Sequence, residues 1–170
     1  MSLYEVTVPQ MAKMLNNMKA WMAEAEQYAE ERGFHPDNYL NARLQMDQFP
    51  FSRQLQAACD TAKGSAARLS GQTPPRHEDN EATFEELRAR IDTVLTYLAG
   101  FSASDFDGWE TRLVPLPFLS GKGASAASYA TEFALPNFYF HVSMVYGILR
   151  HSGVKLGKRA YIGGMQIVDL

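Results

Sequence analysis

The sequence predicts an all-α protein built as a four-helix bundle, with a short non-helical or hairpin excursion before the last long helix. Hydrophobic residues recur at intervals of three and four along four long segments, which places them on one face of an α-helix. Capping and turn residues bound these segments, as expected at helix ends. The helical period disappears between Phe101 and Gly123. Long connections over 33–49 and 100–124 allow crossovers, so strict up-and-down order is not required.

The first predicted helix spans residues 8–32 and carries a wide apolar face that is rich in methionine. Arg32 lies in its last turn and Gly33 ends it, a pattern typical of a helix C-terminus. The face indicates core packing, although methionines also line adaptable ligand pockets. Because uncovered apolar surface tends to be used for association, the same face predicts a homodimer. Its members are Val8, Met11, Met14, Leu15, Met18, Trp21, Met22, Ala25, Tyr28 and Ala29.

The second predicted helix begins near Pro50 and has a buried face of small residues, so a neighbouring helix should approach it closely. Asp60 and Lys63 lie off this face and are interpreted as surface charges. Cys59 lies near it without an adjacent base, which indicates a small core residue rather than a nucleophile. The predicted buried face consists of Phe51, Leu55, Ala58, Cys59, Ala62, Ala66 and Leu69.

The third predicted helix starts at Asn80 or Thr83 and ends at Gly100. Thr83 and Glu86 have the spacing of a capping box, in which the two side chains satisfy each other's backbone N–H groups. Its apolar face consists of Phe84, Leu87, Ile91, Val94, Leu95 and Leu98.

The excursion after the third helix predicts a short hairpin. Residues 111–118 alternate in polarity, and Pro115 and Pro117 confine them to an edge position. The sequence SGKG at 120–123 predicts the turn.

The last long helix is predicted to begin at about Ser125 and to end at Gly153. Pro136 disfavours helical geometry at Leu135 and predicts a kink or restart there. Residues 137–151 are apolar on more than one face, which predicts the most buried helix of the set. Residues 163–170 are expected to form a loosely ordered tail.

Composition limits the class of protein. A chain of 170 residues that is 46% hydrophobic and 21% charged predicts one globular domain over residues 1–170. The net charge of −3, with cations scattered among acids, argues against nucleic acid as a partner. A single cysteine excludes an internal disulfide. The absence of a signal peptide pattern and of an apolar run of ~18 residues predicts a cytoplasmic protein without a membrane partner.

Two polar residues interrupt the apolar stretch over 135–153. Asn137 and His141 are four positions apart, so they lie on one face of a helix, one turn from each other. An imidazole in such a place can ligate a metal ion, act as a base, or form one hydrogen bond within the core. These alternatives remain open from the residues alone.

Five stretches carry a resemblance to a known family: PNFYFHV at 136–142, ILRHSGV at 148–154, GKR at 157–159, FPFSRQLQAACDTAKG at 49–64 and EATFEELRARI at 81–91. They resemble a bacterial family known only as a domain of unknown function. That family is grouped with the DinB/YfiT-like metalloenzymes. The resemblance implies a DinB-like four-helix bundle that often dimerises. Some members of the superfamily are thiol-dependent transferases and others are similar to hydrolases.

The resemblance also implies a metal site, which this chain matches only in part. The superfamily binds a divalent metal such as zinc or nickel through three histidines, one on the second helix and an H-x-x-x-H pair on the last. His141 and Arg150 keep the family's spacing of nine, so His141 matches the second histidine of the pair. Asn137 stands at the first. The second predicted helix has no histidine, and Gln54 or Gln56 is the nearest replacement.

Three functions follow as alternatives. The first is a bundle with a degenerate metal site that binds a small ligand near His141 and Asn137, with Gln54 and Gln56 as further candidate ligand-binding residues. The second is a divalent-metal-dependent thiol transferase or hydrolase in which His141 is the candidate metal ligand. The third is a non-catalytic dimeric scaffold. No catalytic residue is predicted.

Overall fold

A computed structural model describes residues 2–116 and 119–169 and confirms the all-α prediction. The long helices are α1 (Leu3–Arg32), α2 (Phe51–Leu69), α3 (Phe84–Ala99) and a last stretch made of α4 (Ala126–Ser128), a π-helical turn (Tyr129–Ala134) and α5 (Leu135–His151). A short α6 (Lys158–Ile162) follows, and single 3-10 turns occupy Pro36–Tyr39, Ala103–Phe106 and Trp109–Thr111. Helix α2 packs against α1, α3 and α5, and α1 also packs against α3 and α5, as in a bundle.

Helix α1 begins at Leu3, five residues before the predicted start. A capping box explains the difference: the Ser2 hydroxyl accepts a hydrogen bond from the Glu5 backbone N–H, and the Ser2 N–H donates to the Glu5 carboxylate. Pro9 lies inside the helix at an exposed position, where it removes one backbone hydrogen bond without ending the helix. Gly33, with φ of 73°, ends α1 as predicted.

The methionine-rich face of α1 lies inside the protein. Met11, Met14, Met18 and Met22 are at most 5% exposed and belong to the hydrophobic core. The apolar surface on which the dimer prediction rested is therefore used within a single chain.

Helix α2, and not α5, is the most buried helix, which corrects the prediction. Of the 19 residues of α2, 13 are buried, against 6 of the 17 residues of α5. The reason is position, because α2 is covered by three other helices. Helix α5 leaves part of its aromatic surface outside, and Phe140 is 51% exposed.

The predicted hairpin is present as two short antiparallel strands, β1 (Leu113–Pro115) and β2 (Gly123–Ser125). Leu113 lies opposite Ser125, and Pro115 lies opposite Gly123. Pro117 and Phe118, which the prediction included, lie outside the described residues.

A π-helical turn, and not a break in the helix, precedes Pro136. Leu135 has helical φ and ψ of −65° and −50°, so the prediction of non-helical geometry there is wrong. Its backbone N–H donates to the Ala130 carbonyl, five residues earlier. A proline ring clashes with the carbonyl four residues before it, and the wider π turn relieves that crowding.

The chain after α6 lies on the surface. Residues 164–169 are exposed and form neither helix nor strand. Among the described residues, no helix combines the length and the apolarity needed to cross a bilayer.

Candidate functional site

His141 lies on the buried side of α5 and contacts Gln54 of α2. The imidazole Nδ1 is 2.7 Å from the Gln54 amide oxygen, and His141 is 9% exposed. The Gln54 amide nitrogen donates to the Phe49 carbonyl at 3.3 Å, which leaves its oxygen to accept from the imidazole. Nδ1 therefore carries the proton. The other ring nitrogen, Nε2, has its lone pair free and forms no hydrogen bond with the described part of the chain.

The charge state of this imidazole follows from its surroundings. Burial is the larger cause and the nearby Arg53 guanidinium is the second, and both lower the pKa of His141 below its ordinary value. His141 is thus neutral at physiological pH. A neutral imidazole with one oriented N–H is the form that a structural hydrogen bond, a metal ion or a base requires.

Asn137 lies one turn earlier on α5 and contacts a different turn of α2. Its side-chain N–H donates to the Thr61 hydroxyl at 2.8 Å, and that hydroxyl donates to the Ala57 carbonyl. Asn137 is half-buried, and its amide oxygen accepts no hydrogen bond from a described residue. The two predicted polar residues thus share one helix face but have separate partners.

Gln56, the alternative to Gln54, does not contact His141. Its amide nitrogen donates to the Glu81 carboxylate at 2.8 Å, and its amide oxygen accepts from Arg53 at 3.4 Å. It belongs to an ionic network between α2, α3 and the loop before α3.

That network is centred on Arg90, whose side chain is 3% exposed. Arg90 pairs with Asp60 at 2.8 Å, with Asp79 at 2.9 Å and with Glu81 at 2.8 Å. Lys63 pairs with Asp60 at 2.9 Å and its side chain is 6% exposed, so the interpretation of Lys63 as a surface charge is wrong. A buried ammonium is tolerated there because a carboxylate lies beside it.

The interpretation of Cys59 as a core residue agrees with the structure. The thiol is fully buried, and burial raises its pKa to about 12. Such a thiol is not ionised at neutral pH and is a poor nucleophile.

The residues at the predicted site do not fit a three-histidine metal centre. His141 supplies one imidazole, and the other two positions hold neutral amides that bind zinc and nickel weakly. Both amides are engaged, Gln54 with His141 and Asn137 with Thr61. No group of three or more His, Cys, Asp or Glu side chains that could hold a metal ion occurs within the described ranges.

A cavity of about 240 Å³ opens beside Asn137, between α2 and the π-helical turn. We refer to it as the Asn137 cavity. Its lining is partly polar and partly apolar. The polar or charged residues are Asp60, Thr61, Arg68 and Asn137, and the apolar or aromatic ones are Leu116, Tyr129 and Phe133. His141 is not among its lining residues, so the structure separates the two parts of the predicted site.

Sequence reasoning missed Arg68, which lines this cavity. Its guanidinium Nη1 is 3.3 Å from the Tyr129 hydroxyl. A Cβ added at Gly64, one turn earlier on α2, would overlap this same nitrogen. A glycine in the middle of a helix is unfavourable, and with Arg68 four residues later it was the available signal that a side chain lies across the helix backbone.

The fold and the site together define an all-α bundle in which a buried histidine and a half-buried asparagine of α5 contact polar side chains of α2. The family model for a domain of unknown function (DUF1993) matches residues 3–162, and the chain belongs to that family. The crystal structure of a DinB family member protein from Shewanella denitrificans is similar, with a TM-score of 0.94 and 48% sequence identity. The match covers 99% of this chain and 96% of that one. No curated protein matches the chain. The predicted resemblance to a DinB-like family of unknown function is thereby confirmed.

Proposed function

We propose that the protein binds a small molecule and that the ligand occupies the Asn137 cavity. Ligand sites combine apolar walls with a few polar groups that orient the ligand, and this cavity has both. Its volume of about 240 Å³ suits a metabolite smaller than a typical drug. One wall is a π-helical turn, a feature that often occurs at functional sites.

The observation that carries the proposal is unused hydrogen-bonding capacity inside the cavity. The Asn137 amide oxygen has no partner among the described residues, although the N–H of the same amide is fixed by Thr61. Arg68 lines the same cavity and forms no ion pair within the described ranges. The oriented amide oxygen of Asn137 and the guanidinium of Arg68, beside aromatic walls, would bind the polar groups of a ligand without a rearrangement of the bundle.

The alternative of a metal-dependent thiol transferase or hydrolase is not proposed. That chemistry requires at least three protein ligands and an open coordination position on the metal. His141 is one imidazole, and the amides near it already have partners.

The test uses three one-ring probes that differ in charge: neutral benzamide, cationic benzamidine and anionic benzoate. We expect at least one to bind the full chain at millimolar concentration, observed by saturation-transfer NMR. Thr61→Phe should fill the cavity and abolish binding, while the exposed Thr93→Phe on α3 should not. Circular dichroism would confirm that both variants remain folded.

Two outcomes would overturn the proposal. One is that none of the three probes binds. The other is that binding persists unchanged in Thr61→Phe and also in Asn137→Phe, a second variant that fills the same cavity from α5.

A further inference from the structure

We infer that the ligand of the Asn137 cavity is a small organic anion, a carboxylate or phosphate attached to an apolar body, and that Arg68 binds its charged group. This inference rests on the proposed function and adds the chemical class of the ligand. It depends on three features of the site, namely the charge balance, the placement of Arg68 and the apolar walls.

Among the described charged residues that line or border the Asn137 cavity, Arg68 is the one without an oppositely charged partner. The ionic network beside the cavity contains three cations, Arg53, Lys63 and Arg90, and three carboxylates, Asp60, Asp79 and Glu81. These charges neutralise one another. Asp60 also lines the cavity, but its carboxylate already accepts from Arg90 and Lys63 at 2.8 and 2.9 Å. Arg68 belongs to no ion pair of the described residues, so an anionic ligand would complete the balance.

Arg68 is held in place without an acid. Its guanidinium lies over Gly64, where any side chain would displace it, and it contacts the Tyr129 hydroxyl at 3.3 Å. A guanidinium has five N–H donors in a planar fork that matches the geometry of carboxylate and phosphate. The contact with Tyr129 leaves most of these donors unused. Glycine at position 64 thus leaves room for the Arg68 guanidinium, although it lowers the helix propensity there.

The cation lies where two cavities meet. A second cavity of about 290 Å³ shares Asp60 and Arg68 with the first and is also lined by Lys63, Arg76 and His77. Burial is the main cause that lowers the pKa of His77; the charges of Lys63 and Arg90 lower it further, and those of Asp60 and Glu81 oppose them. Arg68, which lines both cavities, is therefore accessible to a ligand from either one.

The walls of the Asn137 cavity indicate the rest of the ligand. Tyr129 and Phe133 come from successive turns of the last helical stretch, and their rings pack at 5.8 Å between centroids. Leu116 completes the apolar side. An aromatic or aliphatic body would lie against these side chains, with its charged group at Arg68.

The test compares benzoate with benzamide, which has nearly the same shape but no charge. We expect the full chain to bind benzoate more tightly than benzamide, with an affinity that falls as salt is added. Arg68→Met should weaken benzoate binding by about tenfold or more, since a hydrogen-bonded charge pair is lost, and should change benzamide binding by less than about twofold. Titration followed by NMR chemical shifts gives all four dissociation constants. Phenyl phosphate, titrated in parallel, separates the two head groups, and tight binding of either supports the inference.

Gly64→Ala provides a variant that leaves Arg68 in the sequence. The three atoms nearest to the added Cβ all belong to the Arg68 guanidinium, so that side chain is displaced while the helix gains a better helix former. We expect benzoate binding to weaken as in Arg68→Met, with no loss of thermal stability. Unchanged benzoate affinity in both variants, or equal affinity for benzoate and benzamide in the original protein, would overturn the inference while leaving a ligand cavity in place. Failure of every probe to bind would overturn the proposed function as well.

Discussion

The imidazole Nδ1 of His141 lies 2.7 Å from the amide oxygen of Gln54, across the interface between α5 and α2. The two residues are 87 positions apart in the chain, and both are buried. The contact satisfies the imidazole N–H and fixes the tautomer, so it joins the two helices at a point where an apolar pair would otherwise pack.

Replacing Gln54 with leucine should destabilise the fold. The change leaves the His141 N–H buried without an acceptor, which costs about 1–3 kcal/mol of the free energy of unfolding. Urea denaturation at pH 7.5 measures the change. Gln10→Leu, at an exposed position of α1, is the matched control and should have little effect. Equal stability of the two variants would mean that the His141–Gln54 contact contributes nothing.

The stability of the fold should fall in mild acid because of His141. Its pKa is lowered in the folded state from an unfolded value of 6.5, so the folded state binds fewer protons than the unfolded state between these two values. The stability contribution is fully present above about pH 6.5, declines as the pH drops below that value, and is lost once the pH has passed through the folded pKa. Urea denaturation from about pH 7.5 to about pH 5 measures this slope.

His141→Gln should flatten the pH dependence over this range, because the titrating group is removed. His151→Gln, at the exposed end of α5, is the control for the substitution itself. A slope identical in the original protein and in His141→Gln would contradict the assignment.

Cys59 should resist thiol reagents in the folded protein. Its thiol is buried and has a pKa of about 12, so neither access nor ionisation favours attack. With a chromogenic aromatic disulfide at pH 8 we expect almost no reaction in buffer and one equivalent per chain in denaturant, because the chain has one cysteine. Fast reaction in buffer, at the rate of a small free thiol, would show that α2 opens readily.

Removal of the Arg90 side chain should destabilise the protein strongly. Arg90→Met leaves Asp60 and Asp79 with Lys63 and Arg53. It leaves Glu81, whose side chain is 11% exposed, without a cation, and breaking such a buried pair costs about 3–5 kcal/mol. Arg76→Met is the matched control, because the Arg76 side chain is 89% exposed and its pair with Glu78 is at the surface. Thermal and urea denaturation of both variants measures the difference, and similar losses in the two would contradict the central role of Arg90.

If the chain forms the predicted homodimer, the contact cannot use the methionine face of α1, which is buried within each chain. The half-exposed Phe140 on α5 is the apolar residue we expect to take part. Light scattering at tens of micromolar should give the mass of two chains, and Phe140→Glu should give the mass of one. Met46→Glu, at a position 88% exposed in the loop before α2, is the control. A single-chain mass for the original protein would rule out the dimer.

The helices could be predicted because their signals are local. The Thr83–Glu86 capping box and the Gly33 ending are decided by contacts within a few residues, and the structure has both. The apolar faces follow from spacing alone, as does the placement of Asn137 and His141 on one side of α5. The observed start of α1 lies five residues before the predicted one, although its signal, the Ser2–Glu5 capping box, is equally local.

What the sequence by itself determined is thus the set of helices, their core-facing sides and the polar pair on α5. Which residues of α2 meet that pair was decided by the tertiary structure, since the rotation and offset of two packed helices depend on every side chain between them. In the structure His141 is hydrogen-bonded to Gln54 and not to Gln56. Asn137 is hydrogen-bonded to Thr61, 76 positions away in the chain. The packing also places Lys63 in the interior beside Asp60. It places the Arg68 guanidinium above Gly64, where it lines the Asn137 cavity. No pattern in the sequence tells whether a charged residue has a partner elsewhere in the fold. The Asn137 cavity, and the Arg68 guanidinium that has no ion pair among the described residues, therefore follow only from the packing of the helices.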